Sequence, residues 1–164
     1  MRSYKDLNIE YQGTHLIIQH KELSSLAGSP NHITGDYDCR YNSLTSLLGG
    51  PQRVDGYYDC SENNLTSLVG CASHIGSILY CYDATLQSLV GIHKLIKSCP
   101  IIFFKDYQIL QGGIGLLLID DVIDIASTIK PFKIIKSYLG TGNKGMMACR
   151  NELIEKGYAD YAKL

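Results

Sequence analysis

Gly140, Gly142 and Gly145 stand at the G-x-G-x-x-G spacing with which a dinucleotide-binding turn brings its backbone against a pyrophosphate. That chemistry requires a strand before the first glycine and a βαβ unit around it. The preceding run, "PFKIIKSYLG", instead reads as a helix opened by Pro131, so the three glycines read as a connector. Lys144 lies in the same loop, "TGNKG", and could meet an anion at the start of the helix that follows. Six cysteines raise disulfide or zinc chemistry, yet no C-x-x-C pair is present and no His or Cys lies at finger spacing. The aspartates lack the nine-residue G-G-x-G-x-D period of calcium solenoids. No nucleophile elbow, phosphate loop or metal triad occurs. The residues therefore read as a non-enzymatic protein with no cofactor and no metal.

Charge and hydropathy exclude other classes. Fifteen basic and 16 acidic side chains leave a net charge of −1, which recommends neither nucleic acid nor a membrane surface as a partner. The most apolar stretch, "GIGLLLIDDVIDIA", is broken by Asp120, Asp121 and Asp124, against a membrane span. The start, "MRSYKDLNIEYQG", has no apolar core of a signal peptide, so a cytoplasmic location and free thiols are expected.

The elements that position the remaining residues come from a repeat. An L-x-S-L tetrad starts at Leu23, Leu44, Leu65 and Leu86, each step being 21 residues, and "YQILQG" from Tyr107 keeps Leu110 and Gly112 in matching places. A period in the twenties is the mark of a solenoid, each repeat one coil stacked on the last. Gly28, Gly49, Gly70 and Gly91 follow the tetrads and suit a turn with positive φ. Pro30 and Pro51 come next and forbid a long helix there. Then Ile33-Gly35-Tyr37-Cys39, Val54-Gly56-Tyr58-Cys60 and Ile75-Ser77-Leu79-Cys81 alternate inward, the pattern of a short half-buried strand. Cys39, Cys60 and Cys81 thereby become a buried column of small apolar side chains. Asn42 and Asn63 are placed to satisfy backbone groups of adjoining coils; their column continues as Ala84 and Lys105.

The runs "YDCRYNSL" and "YDCSENNL" match L-x-L-x-x-N-x-L with Tyr and Cys in the first two leucine places. Over residues 14 to 110 the chain resembles leucine-rich-repeat proteins of the short L-T-S-L-x-G-x-P class, similar to repeats of tailed-phage accessory proteins and bacterial effectors. The resemblance implies an α/β solenoid with a parallel concave sheet of about five short strands, recognition of a protein partner, and a bacterial host cytoplasm as location. Its expected division is a capping segment with a first strand over 1–22, the solenoid over 23–111, and a C-terminal helical cap over 112–164. In that cap, 114–129 has apolar residues near helical spacing, followed by helices at "PFKIIKSYLG" and "MMACRNELIEK". "NELIEKGYADYAKL" resembles endings that accompany phage-type repeats.

Residues between the buried ones point into the concavity. In a strict 21-residue register the columns are His15, Asp36, Tyr57, Ile78, Cys99; then Ile17, Asp38, Asp59, Tyr80, Ile101; then Gln19, Arg40, Ser61, Tyr82, Phe103. Asp38 and Asp59 come about 4.8 Å apart on adjacent strands, a repulsion that Arg40 would neutralise or a basic partner would use. Ile78, Tyr80, Tyr82, Ile101 and Phe103 form an apolar patch, to be covered by the C-terminal segment or used as an interface. The expected binding residues are Asp36, Asp38, Arg40, Tyr57, Asp59, Ile78, Tyr80, Tyr82 and Phe103. A nucleotide-like ligand stacked on the tyrosines is the alternative, with Arg40 and Lys97 as the cations of that face. A homo-oligomer formed through the patch is another.

Overall fold

The computed structural model describes residues 2–83, 85–104 and 111–164. The fifth tetrad at 107–110 and the Asn-column positions Ala84 and Lys105 lie outside the described residues. Each coil runs through two short strands separated by a corner. The chain order is β1 (Leu16–Ile17), β2 (His32–Ile33), β3 (Tyr37–Asp38), β4 (Arg53–Val54), β5 (Tyr58–Asp59), β6 (His74–Ile75) and β7 (Ile78–Cys81). After them come α1 (Ile92–Leu95), β8 (Ile101–Phe104), β9 (Asp124–Ala126), α2 (Lys130–Ser137) and α3 (Gly142–Glu155).

Strands β1-β3-β5-β7-β8-β9 form one parallel sheet, and β2-β4-β6 form a second. The result is a parallel solenoid of about five turns in an α/β chain that ends in helices. In the first coils the register keeps the 21-residue step, with Leu16 opposite Tyr37, Tyr37 opposite Tyr58 and Tyr58 opposite Leu79. The tetrad leucines, Ile33, Val54, Ile75, Tyr37, Tyr58, Cys39, Cys60 and Cys81 fill the space between the two sheets and are buried. Each coil contributes the same set of apolar side chains, so stacking one coil on another continues a single core.

The strict register fails after β7. Leu79 lies opposite Ile102 and Tyr80 opposite Phe103, a step of 23 residues. Pro100 is therefore not the counterpart of Leu79. The cause is in the turn. The first two coils have Pro30 and Pro51 at this place and the third has Ala72, all keeping the 21-residue step, whereas here, with His93, the segment after Gly91 closes into α1. The helix takes up extra residues. The slip is three just after α1, where Ser98 lies opposite His74, and two along β8. Side chains of β8 therefore keep their faces, but Ile101 and Phe103 each move one column, to stand beside Ile78 and Tyr80. Cys99, expected on the outward face, is buried.

Residues 114–129 differ from the helical expectation. They form a 3-10 turn over Gly113–Leu118 and then β9, which pairs with β8 through Ile102 opposite Ile125. An uncovered β8 edge offers a row of unpaired backbone groups. The β-branched Val122, Ile123 and Ile125 suit a strand that fills it. Of the residues near helical spacing, 114, 117, 118, 122, 125 and 129, Ile114 and Ile125 are buried, and the other buried apolar side chains, Leu116 and Ile119, fall between them. Pro131 opens α2 as expected, and α3 begins earlier than expected, at Gly142, so part of "TGNKG" is helical. Phe132 of α2 stacks on Phe104, with ring centroids 5.1 Å apart, and meets Tyr161 edge-on at 5.6 Å. The C-terminal helices thus close the end of the core with Phe132, Ile135, Cys149 and Leu153.

Candidate binding face

The open face of the six-stranded sheet begins with side chains that finish the backbone ladder. The strands are two residues long in the early coils because the next N–H groups are taken by side chains. Asp36 Oδ1 accepts from Tyr57 N at 2.9 Å, and Ser61 Oγ accepts from Tyr82 N at 3.1 Å. His15 Nδ1 lies 3.0 Å from Asp36 N and 2.9 Å from Asp36 Oδ2. The His15–Asp36 pair is thereby tied to the coil boundary.

Asp38 and Asp59 face each other across β3 and β5. They are not the solvated pair that the sequence suggests, since their side chains are only 2% and 10% exposed. Each carboxylate accepts from the backbone N–H two residues on, Arg40 N at 3.1 Å and Ser61 N at 3.0 Å. Arg40 bridges them, with Nε 3.0 Å from Asp38 and a terminal nitrogen 3.6 Å from Asp59. Gln19 holds the same Nε at 3.1 Å. Burial pushes the Asp38 carboxyl above the usual range, and Arg40 offsets only part of that.

The later coils carry the rings. Tyr80 stacks on Phe103 at 5.2 Å, and Tyr57 and Tyr82 approach Tyr80 at 6.1 and 6.0 Å. Tyr82 also meets Phe103 edge-on at 6.2 Å. These rings, with Ile78 and Ile101, are half-buried. Asp124 of β9 continues the Ile78–Ile101 column and pairs with Lys136 of α2. Burial, followed by the nearby Asp38 and Asp36 charges, raises the Tyr57 hydroxyl above its ordinary value.

Between the acidic and aromatic zones lies a cleft of about 360 Å³ lined by Arg40, Tyr41, Tyr57, Asp59, Ser61, Glu62, Tyr80 and Tyr82. The structure therefore brings Arg40, Tyr57, Asp59, Tyr80 and Tyr82 into one concavity, sets Asp38 behind Arg40, and places Phe103 beyond Tyr80. Asp36 and Ile78 stand in the neighbouring column. Lys97 is not on this face. Its backbone N–H bonds Ser73 O beside β6, and its ammonium bonds His93 O.

Several features escaped the sequence reading. Asp83, adjacent to the Asn column, is fully buried and takes over its accepting role. Its Oδ2 accepts from Leu65 N at 2.9 Å and Asn63 N at 3.2 Å. His20, Tyr41 and Glu62 share a left-handed turn at each strand exit, with φ of 55°, 53° and 51°. Their types differ, so only the 21-residue step could have revealed them. Leu48, Val69 and Val90 follow the same step and are exposed at 60%, 42% and 46%. Among the described residues no helix is long and apolar enough to cross a membrane. Compared with protein-family models, curated proteins and solved structures, the chain finds no match in any of the three.

Proposed function

We propose that the chain is a non-enzymatic binding module that recognises a protein partner on the open face of its six-stranded sheet. The observation that carries this reading is the contiguous, half-exposed cluster of Tyr57, Tyr80, Tyr82 and Phe103 beside the Arg40 cleft. Rings of this kind give large contact area at low entropic cost and are favoured anchors of interfaces. The 21-residue pattern and the parallel coils support a leucine-rich-repeat relationship of the short L-T-S-L-x-G-x-P class. The likeness to tailed-phage and effector repeats suggests an accessory protein that engages a host or phage protein in the bacterial cytoplasm. Inhibition of a host component is one form of that activity.

A nucleotide-like ligand is the second reading, favoured by the cleft itself. The displacement of Lys97 to the second sheet counts against it, leaving Arg40 as the cation of the cleft lining, engaged by carboxylates. Immobilised chain tests the first reading. Wild type is expected to retain one bacterial lysate protein that the Tyr80→Ala/Tyr82→Ala variant loses. Retention indifferent to the double variant removes the face from consideration. Self-association through the patch would show by light scattering as a dimer that Phe103→Asp dissociates.

A further inference from the structure

The open-face cleft has a composition that selects among partners. Four tyrosines line it, Tyr41, Tyr57, Tyr80 and Tyr82, and with them Asp59 and Glu62. Asp38 lies directly behind Arg40. Among the described residues one guanidinium is thus set against the two carboxylates of Asp38 and Asp59, which leaves that trio with an excess of one negative charge. The side chains of Arg40 and Asp59 are also only loosely joined, at 3.6 Å. Asp59 Oδ1 accepts one backbone N–H, so the carboxylate keeps acceptor capacity at the cleft.

Aromatic faces next to carboxylates attract cations. A ring quadrupole draws a positive group over its face, and the attraction grows when water is excluded. A guanidinium is suited to such a place because it is planar, weakly hydrated, and can stack on a ring while its edge donates to a carboxylate. A compact ammonium satisfies the carboxylates but loses the stacking. An anion meets repulsion from Asp59 and Asp38. From this we infer that the Arg40–Tyr82 cleft receives an arginine side chain presented by the partner protein. The inference rests on the protein-binding reading above and adds the chemistry of the contact residue.

The test uses the full chain carrying ¹³C-labelled tyrosine rings, with signals assigned by single Tyr→Phe variants. The probes are a blocked Gly-Arg-Gly tripeptide and its Gly-citrulline-Gly counterpart, which keeps shape and loses charge. The arginine peptide is expected to shift the Tyr57, Tyr80 and Tyr82 signals, with about tenfold weaker binding of the citrulline peptide, a ratio within reach of a partly desolvated cation–ring contact. Asp59→Asn, which keeps an oxygen for the Ser61 N–H and loses the charge, is expected to weaken the arginine response. Equal shifts with both peptides, shifts confined to other tyrosines, or no shift with either would overturn the inference. Its failure is separable from failure of the parent reading. Face-dependent capture of a protein without any arginine response leaves the binding module standing and removes the arginine contact. An arginine response without face-dependent capture does the reverse.

Discussion

Tyr80 stacks on Phe103 with ring centroids 5.2 Å apart and planes 30° apart, although 23 residues separate them and strands β1, β3, β5 and β7 step by 21. The pair exists because the net slip along β8 is even, which keeps Phe103 on the open face and Phe104 in the core. The two neighbours should therefore respond differently to truncation. Phe104→Ala removes a buried ring stacked on Phe132 and is expected to cost about 3–5 kcal/mol in urea unfolding. Phe103→Ala loses only the half-exposed ring contacts, about 1 kcal/mol.

Asp38 supplies a pH signature. Its folded-state carboxyl lies above the ordinary value of 3.8, chiefly through burial. Between the unfolded and folded values the native state holds more protons, so stability due to this group falls as pH rises through that window. Above it the cost of the buried charge is constant. Asn at this position can still accept from Arg40 N but carries no charge to bury. The expectation is that the stability of wild type relative to Asp38→Asn declines on going up from pH 3 and then levels. A relative stability that climbs with pH would mean that Arg40 outweighs burial. Thermal unfolding of the two proteins across that range gives the answer.

The inter-coil amide column makes a third expectation. Asn63 Nδ2 donates to Cys39, Cys60 and Ser61 carbonyls, and its Oδ1 accepts from Leu44 N. Asn63→Ala strands those buried groups and should cost about 3 kcal/mol. Asp83 accepts from Asn63, Leu65 and Thr85. Asp83→Asn turns an amide NH₂ on one of them and should cost about 2 kcal/mol. Denaturant midpoints, with unchanged slopes, measure both.

Glycines of similar φ should differ sharply in tolerance. Gly70 has φ 88°, and an added Cβ would lie 2.3 Å from Leu48 N in the coil below. Gly157 has φ 80° with open space around the same position. Gly157→Ala should cost about 1–2 kcal/mol, the left-handed penalty alone. Gly70→Ala must also push two coils apart and should exceed that clearly, or prevent folding as seen by circular dichroism.

The buried phenol of Tyr58 offers a gain. Among the described residues its hydroxyl has no hydrogen-bond partner, and a buried unpaired hydroxyl costs about 1–3 kcal/mol. Tyr58→Phe is expected to raise the melting temperature by about 2–4 °C for each kcal/mol recovered.

The coils were legible because every one repeats the same burial task, so Leu23, Gly28, Ile33, Tyr37 and Cys39 announce their successors by position. What the repeat could not convey was the point where it breaks. A helix forms after Gly91 where the coil before, with Ala72 in the same column, forms none, and only a three-dimensional count of residues through α1 and the corner after it gives the new register of Phe103. The strand at Asp124–Ala126 was hidden because apolar residues at 114, 117, 118, 122, 125 and 129 fall near helical spacing, although of these only Ile114 and Ile125 are buried. At the open face the residue types were readable, but the burial of Asp38 and Asp59 was not. Their environment depends on where the Arg40 side chain lies, which the spacing of residues leaves open. Asp83 was missed because it does its work one position away from the Asn column.

The central claim is that binding resides on the aromatic half of the open face and not on the second sheet. The most direct measurement compares capture of lysate protein by wild type, by Tyr80→Ala/Tyr82→Ala, and by His32→Ala/Arg53→Ala on the exposed edge of β2 and β4. The account predicts one retained protein, lost from the tyrosine variant and kept by the second-sheet variant. Loss from the second-sheet variant alone, with full retention by the tyrosine variant, would contradict it.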